Sequence, residues 1–302
     1  MKSYSKLKNA FSLIELSIVI LIVGILIAGV TQSSRLINQM KLSSAQSITR
    51  SSDVISINDM VFWAETSLEN SLTNSSGGFQ MDNGGAISSW NDINLRSSNK
   101  INLGQSNTNY QPSYKSSGIN GLPSISFDGT NDSLFNTSTV PLSYGAKNYT
   151  LVVVWRSSRM TSPDGIIVLG QGNNPIVPNQ AATILLWAGT SGFAGWWNSY
   201  YPATQVNLNA DYVTIVTINN NLASNVSIYI NSNTTSTGAT GSPAGLTLAN
   251  QIFCAGGMDS MGTNYAFHGL ISEAMVFDRT LKLDEVKSIN GYLGKKYGIK
   301  IS

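Results

Sequence analysis

Apolar residues fill one long stretch near the start of the chain and afterwards recur in short bursts. From Leu16 to Val30 only Ser17 is clearly polar, and carrying the run back to Phe11 gives 20 residues, enough helix to cross a bilayer core of about 30 Å. Beyond Val30, Leu36, Ile37, Met40, Ala45 and Ile48 recur at three to five residues, with Arg35, Lys41 and Arg50 among them. This spacing predicts that the helix continues out of the membrane as an amphipathic half that packs one face on a globular domain. The pattern fades between Asp53 and Asn58, where Val54, Ile55 and Ile57 stand among polar residues.

From Asp59 onward the period changes. Short β-branched and aromatic runs are separated by Gly, Asn, Asp and Ser clusters, which predicts an all-β sandwich. The strands expected are Ser124 to Phe127, Tyr149 to Trp155, Gly165 to Leu169, Thr183 to Trp187, Phe193 to Trp197, Tyr212 to Ile218, Val226 to Ile230, Gln251 to Cys254 and Gly269 to Phe277. Tyr149 to Trp155 and Tyr212 to Ile218 are dense enough in apolar residues to be central. The polar, Gly-rich region from Ser67 to Tyr114 reads as long loops. Near the end, Val286, Ile289, Leu293 and Tyr297 form a helical stripe that should dock on the sandwich. Lys282 stands where a capping side chain is expected, so the first turn of that helix should fray at a cost of about 1 kcal/mol.

Composition narrows the partners. The chain carries 18 Lys and Arg against 16 Asp and Glu, a balance that argues against nucleic acid. Three of the lysines, Lys2, Lys6 and Lys8, precede Phe11, so the basic excess belongs to that leader. One cysteine, Cys254, permits no internal disulfide, and with the single His268 it excludes Cys and His zinc clusters. No cofactor is implied.

One carboxylate, Glu15, lies inside the apolar run, where it is unfavourable by roughly 2.5–3.5 kcal/mol on insertion scales and therefore needs a partner. The basic leader, the small residue Ala10 and then Phe11-Ser12-Leu13-Ile14-Glu15-Leu16 resemble the type IV pilin and pseudopilin family, with Ala10 in place of the usual Gly. The resemblance implies that prepilin peptidase cuts between Ala10 and Phe11 and methylates the new amine of Phe11. It also implies that Glu15 pairs with the terminal ammonium of a neighbouring subunit during assembly. Independently, Lys2, Lys6 and Lys8 keep the N-terminus cytoplasmic and place everything after Val30 across the inner membrane.

A second resemblance covers roughly Met60 to Ile301. Val61-Phe62-Trp63-Ala64 with Ser89-Trp90-Asn91-Asp92, then Gln111-Pro112-Ser113-Tyr114 with Gly121 to Asp132, then Phe267 to Glu273 and Tyr292 to Gly298, follow in the order of the laminin G-like, concanavalin A-like jelly-roll family. The expected divisions are a leader at 1–10, a pilin helix at 11–58 with its membrane segment at about 11–31, and a β-sandwich ectodomain with a short C-terminal helix at 59–302.

Candidate chemistry in this ectodomain is sparse. Phe127-Asp128-Gly129-Thr130-Asn131-Asp132 reads as a strand entering a tight turn, with Gly129 at positive φ and Asx side chains bonding the turn backbone. Its rival is a calcium loop using Asp128, Asn131 and Asp132, although three oxygens do not complete six to eight ligands. Glu273 should anchor a backbone group or an arginine. Retaining glycosidases hold two carboxylates about 5–5.5 Å apart, often from a Glu-x-Asp-x-Glu strand, and no such pattern occurs; His268 has no acidic neighbour in sequence. The expectation is therefore not an enzyme. Trp187, Trp196, Trp197, Tyr200 and Tyr201 cluster as rings that could stack on sugars, the alternative being that Trp187 and one of the paired tryptophans fill the core. Two adjacent tryptophans cannot both point inward on one strand, so one of Trp196 and Trp197 should face a loop, a neighbouring subunit or a surface glycan.

The combined expectation is a structural subunit of a type IV pilus or related pseudopilus, first in the inner membrane and then in an extracellular or periplasmic filament with other pilin subunits. The alternatives are a minor pilin acting as an adhesin through its jelly-roll head, and a type II secretion pseudopilin.

Overall fold

The computed structural model describes residues 12–136, 142, 148–160, 163–170, 181–187, 189–195, 199–220, 226–235, 252–257 and 265–302. Helix α1 (Leu13–Arg50) is uninterrupted. Its start is capped reciprocally: the Ser12 amide donates to Glu15 Oε2 at 2.9 Å and the Ile14 amide donates to Ser12 Oγ at 3.3 Å, so Ser12 caps the helix through N2 while Glu15 reaches back to it. Every large apolar side chain from Leu13 to Val30 is exposed in the single chain, and the helix is long and apolar enough to cross a membrane. After it, Ser52 Oγ accepts from the Val54 amide at 3.1 Å and opens a short 3-10 turn over Asp53–Ser56.

The chain divides into two compact units, the first ending at Ser43 and the second covering Ser44–Ser302. In the second, the strands run in chain order as β1 (Met60–Glu65), β2 (Leu72–Asn74), β3 (Ile87–Trp90), β4 (Leu103–Gly104), β5 (Ser113–Lys115), β6 (Ser124–Asp128), β7 (Leu134–Asn136) and β8 (Tyr149–Ser157). There follow β9 (Asp164–Gly170), β10 (Ala181–Trp187), β11 (Thr190–Gly195), β12 (Ser199–Gln205), β13 (Asp211–Ile218), β14 (Val226–Ile230), β15 (Ile252–Ala255) and β16 (His268–Phe277). Helix α2 (Leu283–Tyr297) ends the fold.

Two antiparallel sheets result. One is ordered β14-β13-β8-β16-β6-β5, with β1 also paired to β16; the other is β12-β11-β10-β9-β15-β7-β4-β3-β2. The expected central strands β8 and β13 are neighbours within the first sheet. Alternation along the strands sorts the side chains into layers. Phe62, Leu151, Val153, Trp155, Phe253 and Val276 fill the space between the sheets, whereas Trp63, Val152, Val154, Met275 and Phe277 point the other way and are covered by Val286, Ile289, Leu293 and Tyr297 of α2. The terminal stripe docks as its spacing predicts.

Three expectations need correction. The region expected as long loops carries β2 to β5, which are only two to four residues long; their outward positions hold Thr, Ser and Gly, so no apolar alternation marks them. The strand expected at Phe193 to Trp197 begins earlier, at Thr190, and is described to Gly195. The first turn of α2 is also closed despite Lys282. Glu285 reaches back to accept from the Lys282 amide at 2.9 Å, and Arg279 fixes that carboxylate with two hydrogen bonds of 2.6 and 2.7 Å.

Candidate functional site

Of the residues expected to act at the N-terminus, Ala10 and Phe11 lie outside the described residues. Glu15 stands in the first turn of α1 with Oε2 bonded to its own Ser12 amide. A carboxylate accepts through both oxygens, so this bond leaves capacity for a second donor.

The densest chemistry in the sandwich is a buried charge cluster. Glu65 on β1 lies directly opposite Glu273 on β16. The bulge in β1 after Met60 and the irregularity in β16 after Ile271 set both carboxylates on the face covered by α2. Lys296 Nζ sits 2.8 Å from Glu65 Oε2 and 2.8 Å from Glu273 Oε2. Glu273 also accepts from the Trp63 indole at 2.7 Å, Tyr292 Oη at 2.8 Å and Tyr297 Oη at 2.9 Å. Glu65 accepts from the Ser67 amide, the Ser67 hydroxyl, the Leu68 amide and Ser71 Oγ. Thr49, in the last turn of α1, meets Tyr292 Oη at 3.2 Å.

All three charged groups are fully buried or within 1% of it. Burial alone would raise the Glu65 carboxyl. The Lys296 ammonium, with its own hydrogen bond and those from Ser67 and Ser71, more than offsets this and holds the group below its usual range. Burial likewise works against the Lys296 ammonium, and Glu273 and Glu65 outweigh it and raise its pKa. Glu273 thus holds a buried lysine, not the backbone group or arginine expected. Two carboxylates thus stand together where sequence patterns showed no pair, and both are buried and bridged by a cation. The legible signal was Lys296 itself, a charged residue inside the apolar stripe of the terminal helix.

The loop after β6 is a turn built as expected. Asp128 Oδ1 accepts from the Thr130 and Asn131 amides at 2.7 and 3.3 Å, and Asp132 Oδ2 accepts from the Asp128 amide at 2.9 Å. Gly129 has φ +76° and a Cβ there would come 2.6 Å from His268 Cβ. Burial, with the Asp128 charge nearby, pushes the Asp132 carboxyl up to about 6. Beside the turn, Arg159 donates to the Gly129 carbonyl at 3.1 Å and pairs with the buried Asp164 at 2.7 Å. Asp164 meets His268 through the backbone amide, at 3.4 Å. Among the described residues, no group of three or more His, Cys, Asp or Glu is placed to hold a metal ion.

The outer side of the nine-stranded sheet carries Thr73, Ser89, Gly104 and half-buried Phe135 from adjacent strands, whereas Val168, Leu185, Ile252 and Cys254 are buried in an apolar cluster of their own. At one end a shallow cavity of about 410 Å³ is lined by Ser88, Asn102, Gly104, Gln105, Ser106, Phe135 and Asn136. Trp187 is 48% exposed, so of its two expected placements it does not take the core one; its position in β10 puts it on the face opposite Leu186. Trp196 and Trp197 lie outside the described residues.

Comparison with known proteins places this architecture. No curated protein matches the sequence. A model of the prokaryotic N-terminal methylation motif matches residues 5–31, the segment read above as the prepilin start. Two structures of Trypanosoma rangeli sialidase, in complex with 2,3-difluoro-KDN and with 2,3-difluorosialic acid, each align at a TM-score of 0.52 and 12% identity. Each alignment covers 79% of this chain and 33% of the sialidase, so the chain spans about a third of that enzyme and shares a fold with part of it. The model of the concanavalin A-like lectin/glucanases superfamily matches residues 127–287. With more than half its length inside that match, and the matched strands forming both sheets of the sandwich, the chain belongs to the concanavalin A-like lectin/glucanases superfamily.

Proposed function

We propose that this protein is a structural subunit of a type IV pilus or related pseudopilus. It is cut by prepilin peptidase between Ala10 and Phe11, methylated on the Phe11 amine and assembled from the inner membrane through α1, with the sandwich as the filament-borne head. The observation that carries this reading is Glu15, the single acidic residue of α1, which lies in the helix's apolar first half and inside the matched methylation motif. A lone carboxylate there is unfavourable in lipid, and a neighbouring terminal ammonium would neutralise it while fixing the stagger of adjacent helices. Glu15→Ala should leave insertion and folding intact and remove the protein from sheared filaments. Filaments of that variant at normal yield would overturn the reading.

A second reading, an adhesive head on a minor subunit, is favoured by the outer face of the nine-stranded sheet. It carries a shallow polar cavity lined by one half-buried aromatic ring, Phe135. Aromatic surface with a few placed polar groups is the usual makeup of a small-ligand site. This face would bind glycans without any change in how the subunit assembles.

A further inference from the structure

Charge is divided unevenly along the mature chain. Residues 16–52 contain no carboxylate and three basic side chains, Arg35, Lys41 and Arg50, whereas residues 53–302 contain 12 Lys and Arg against 15 Asp and Glu. The helix beyond the membrane run is thus +3 and the remainder −3. Leu36, Ile37 and Met40 are 57%, 54% and 63% exposed on α1, and the exposed Arg35 and Lys41 flank them. This is an apolar helix face rimmed by cations. Identical helices packed side by side would set these cations against one another, which is unfavourable. A counter-charge has to come from outside the helices.

One place on the head supplies it together with an apolar contact. A cavity of about 280 Å³ is lined by Asp53, Ser56, Ile57, Asn58, Asp284, Glu285 and Ser288, with no basic side chain among them. Leu283, 46% exposed, adjoins Asp284. Arg279 is already engaged, 3.2 Å from Asp59 and 2.6 Å from Glu285. Lys282, at the N-cap of α2, and Lys287 on α2 are exposed but outside the cavity lining. Asp53 and Asp284 are exposed, and neither forms an ion pair among the described residues.

We infer that the Arg35–Lys41 face of α1 docks against the Asp53, Leu283 and Asp284 corner of a second copy of this chain. Leu36, Ile37 and Met40 cover Leu283, and Arg35 and Lys41 meet Asp53 and Asp284. Two different patches make this a heterologous contact, the kind that repeats into an open filament when the rotation does not close. The inference rests on the filament reading above.

The test uses full-length chains in sheared filaments. Lys41→Cys and Asp284→Cys variants, co-expressed and oxidised, should give a disulfide-linked dimer that neither variant gives alone; Cys254 is buried in the head. Asp284→Lys should lower incorporation about tenfold, equivalent to about 1.4 kcal/mol, and adding Lys41→Asp to the same chain should restore it. Filaments that form without the mixed dimer, or an Asp284→Lys subunit incorporated at the wild-type level, would overturn the contact and leave the filament reading standing. Absence of the wild-type chain from the sheared fraction would overturn both.

Discussion

Glu65 and Glu273 lie directly opposite each other on adjacent antiparallel strands, an arrangement that is destabilising for like charges. What makes it tenable is Lys296, 2.8 Å from each carboxylate and delivered from a different element, α2. The cluster therefore ties three parts of the chain that are far apart in sequence: β1 next to the base of α1, the central β16, and the terminal helix. Through Tyr292 it also reaches Thr49.

Lys296→Met should destabilise the sandwich by about 3–5 kcal/mol, because it leaves two carboxylates buried and uncompensated. Adding Glu65→Gln to that variant should recover part of the loss by removing one of those charges. Denaturant midpoints of the full chain in detergent would measure both. Equal stability of Lys296→Met and wild type would refute the role given to the lysine.

The same cluster fixes a direction of pH dependence at each end of the scale. Glu65 is lowered in the folded state, so its contribution is present above the unfolded carboxyl pKa and is lost as pH falls through the folded value. Lys296 is raised, so its contribution is present below the unfolded lysine pKa and is lost as pH rises through the folded value. The stability gap between wild type and Lys296→Met should be widest near neutral pH and narrow toward both extremes. Unfolding titrations across that range would show it.

Asp132 acts in the opposite sense. Its carboxyl is raised to about 6, so the contribution it makes is present below the unfolded value and is lost as pH rises through about 6. Asp132→Asn keeps an oxygen that can accept from the Asp128 amide and removes the charge. Relative to wild type it should be more stable at pH about 8 than at pH about 4.5, by roughly 1–3 kcal/mol, one pKa unit being about 1.4 kcal/mol. Calorimetry of both proteins at the two pH values would decide it.

These features differ in how far the sequence announces them. The membrane-length run, Glu15 and the apolar stripe Val286, Ile289, Leu293 and Tyr297 all rest on local periodicity, which survives in one dimension. The pairing of Glu65 with Glu273 does not, because it joins residues 208 positions apart through a strand register that only the fold sets. The short strands β2 to β4 were illegible for a different reason. They are held largely by neighbouring strands and by side-chain bonds such as Asn91 to Thr73 at 3.0 Å and Ser89 to Asn91 at 2.8 Å, so they need no apolar alternation of their own. Ser12 and Glu15 show the reverse case, a reciprocal cap readable in Ser12-Leu13-Ile14-Glu15 that the assembly motif overshadows.

The head's outer face makes a prediction about ligand charge. Ser88, Asn102, Gln105, Ser106 and Asn136 line the shallow cavity around Phe135, and no ionisable side chain is among them. Amides and hydroxyls suit the hydroxyl groups of a neutral sugar, whereas an anionic sugar would lose the hydration of its carboxylate without gaining a cation. The full-length protein in detergent, applied to a glycan array, should therefore retain neutral oligosaccharides in preference to sialylated ones. Phe135→Ala should weaken that retention at least about tenfold, a loss of about 1.4 kcal/mol, while leaving incorporation into filaments unchanged because the ring is remote in sequence and role from Glu15. Retention unaffected by Phe135→Ala, or retention of sialylated glycans alone, would move the binding elsewhere on the head. An array without any retained glycan would leave assembly as the function the geometry supports.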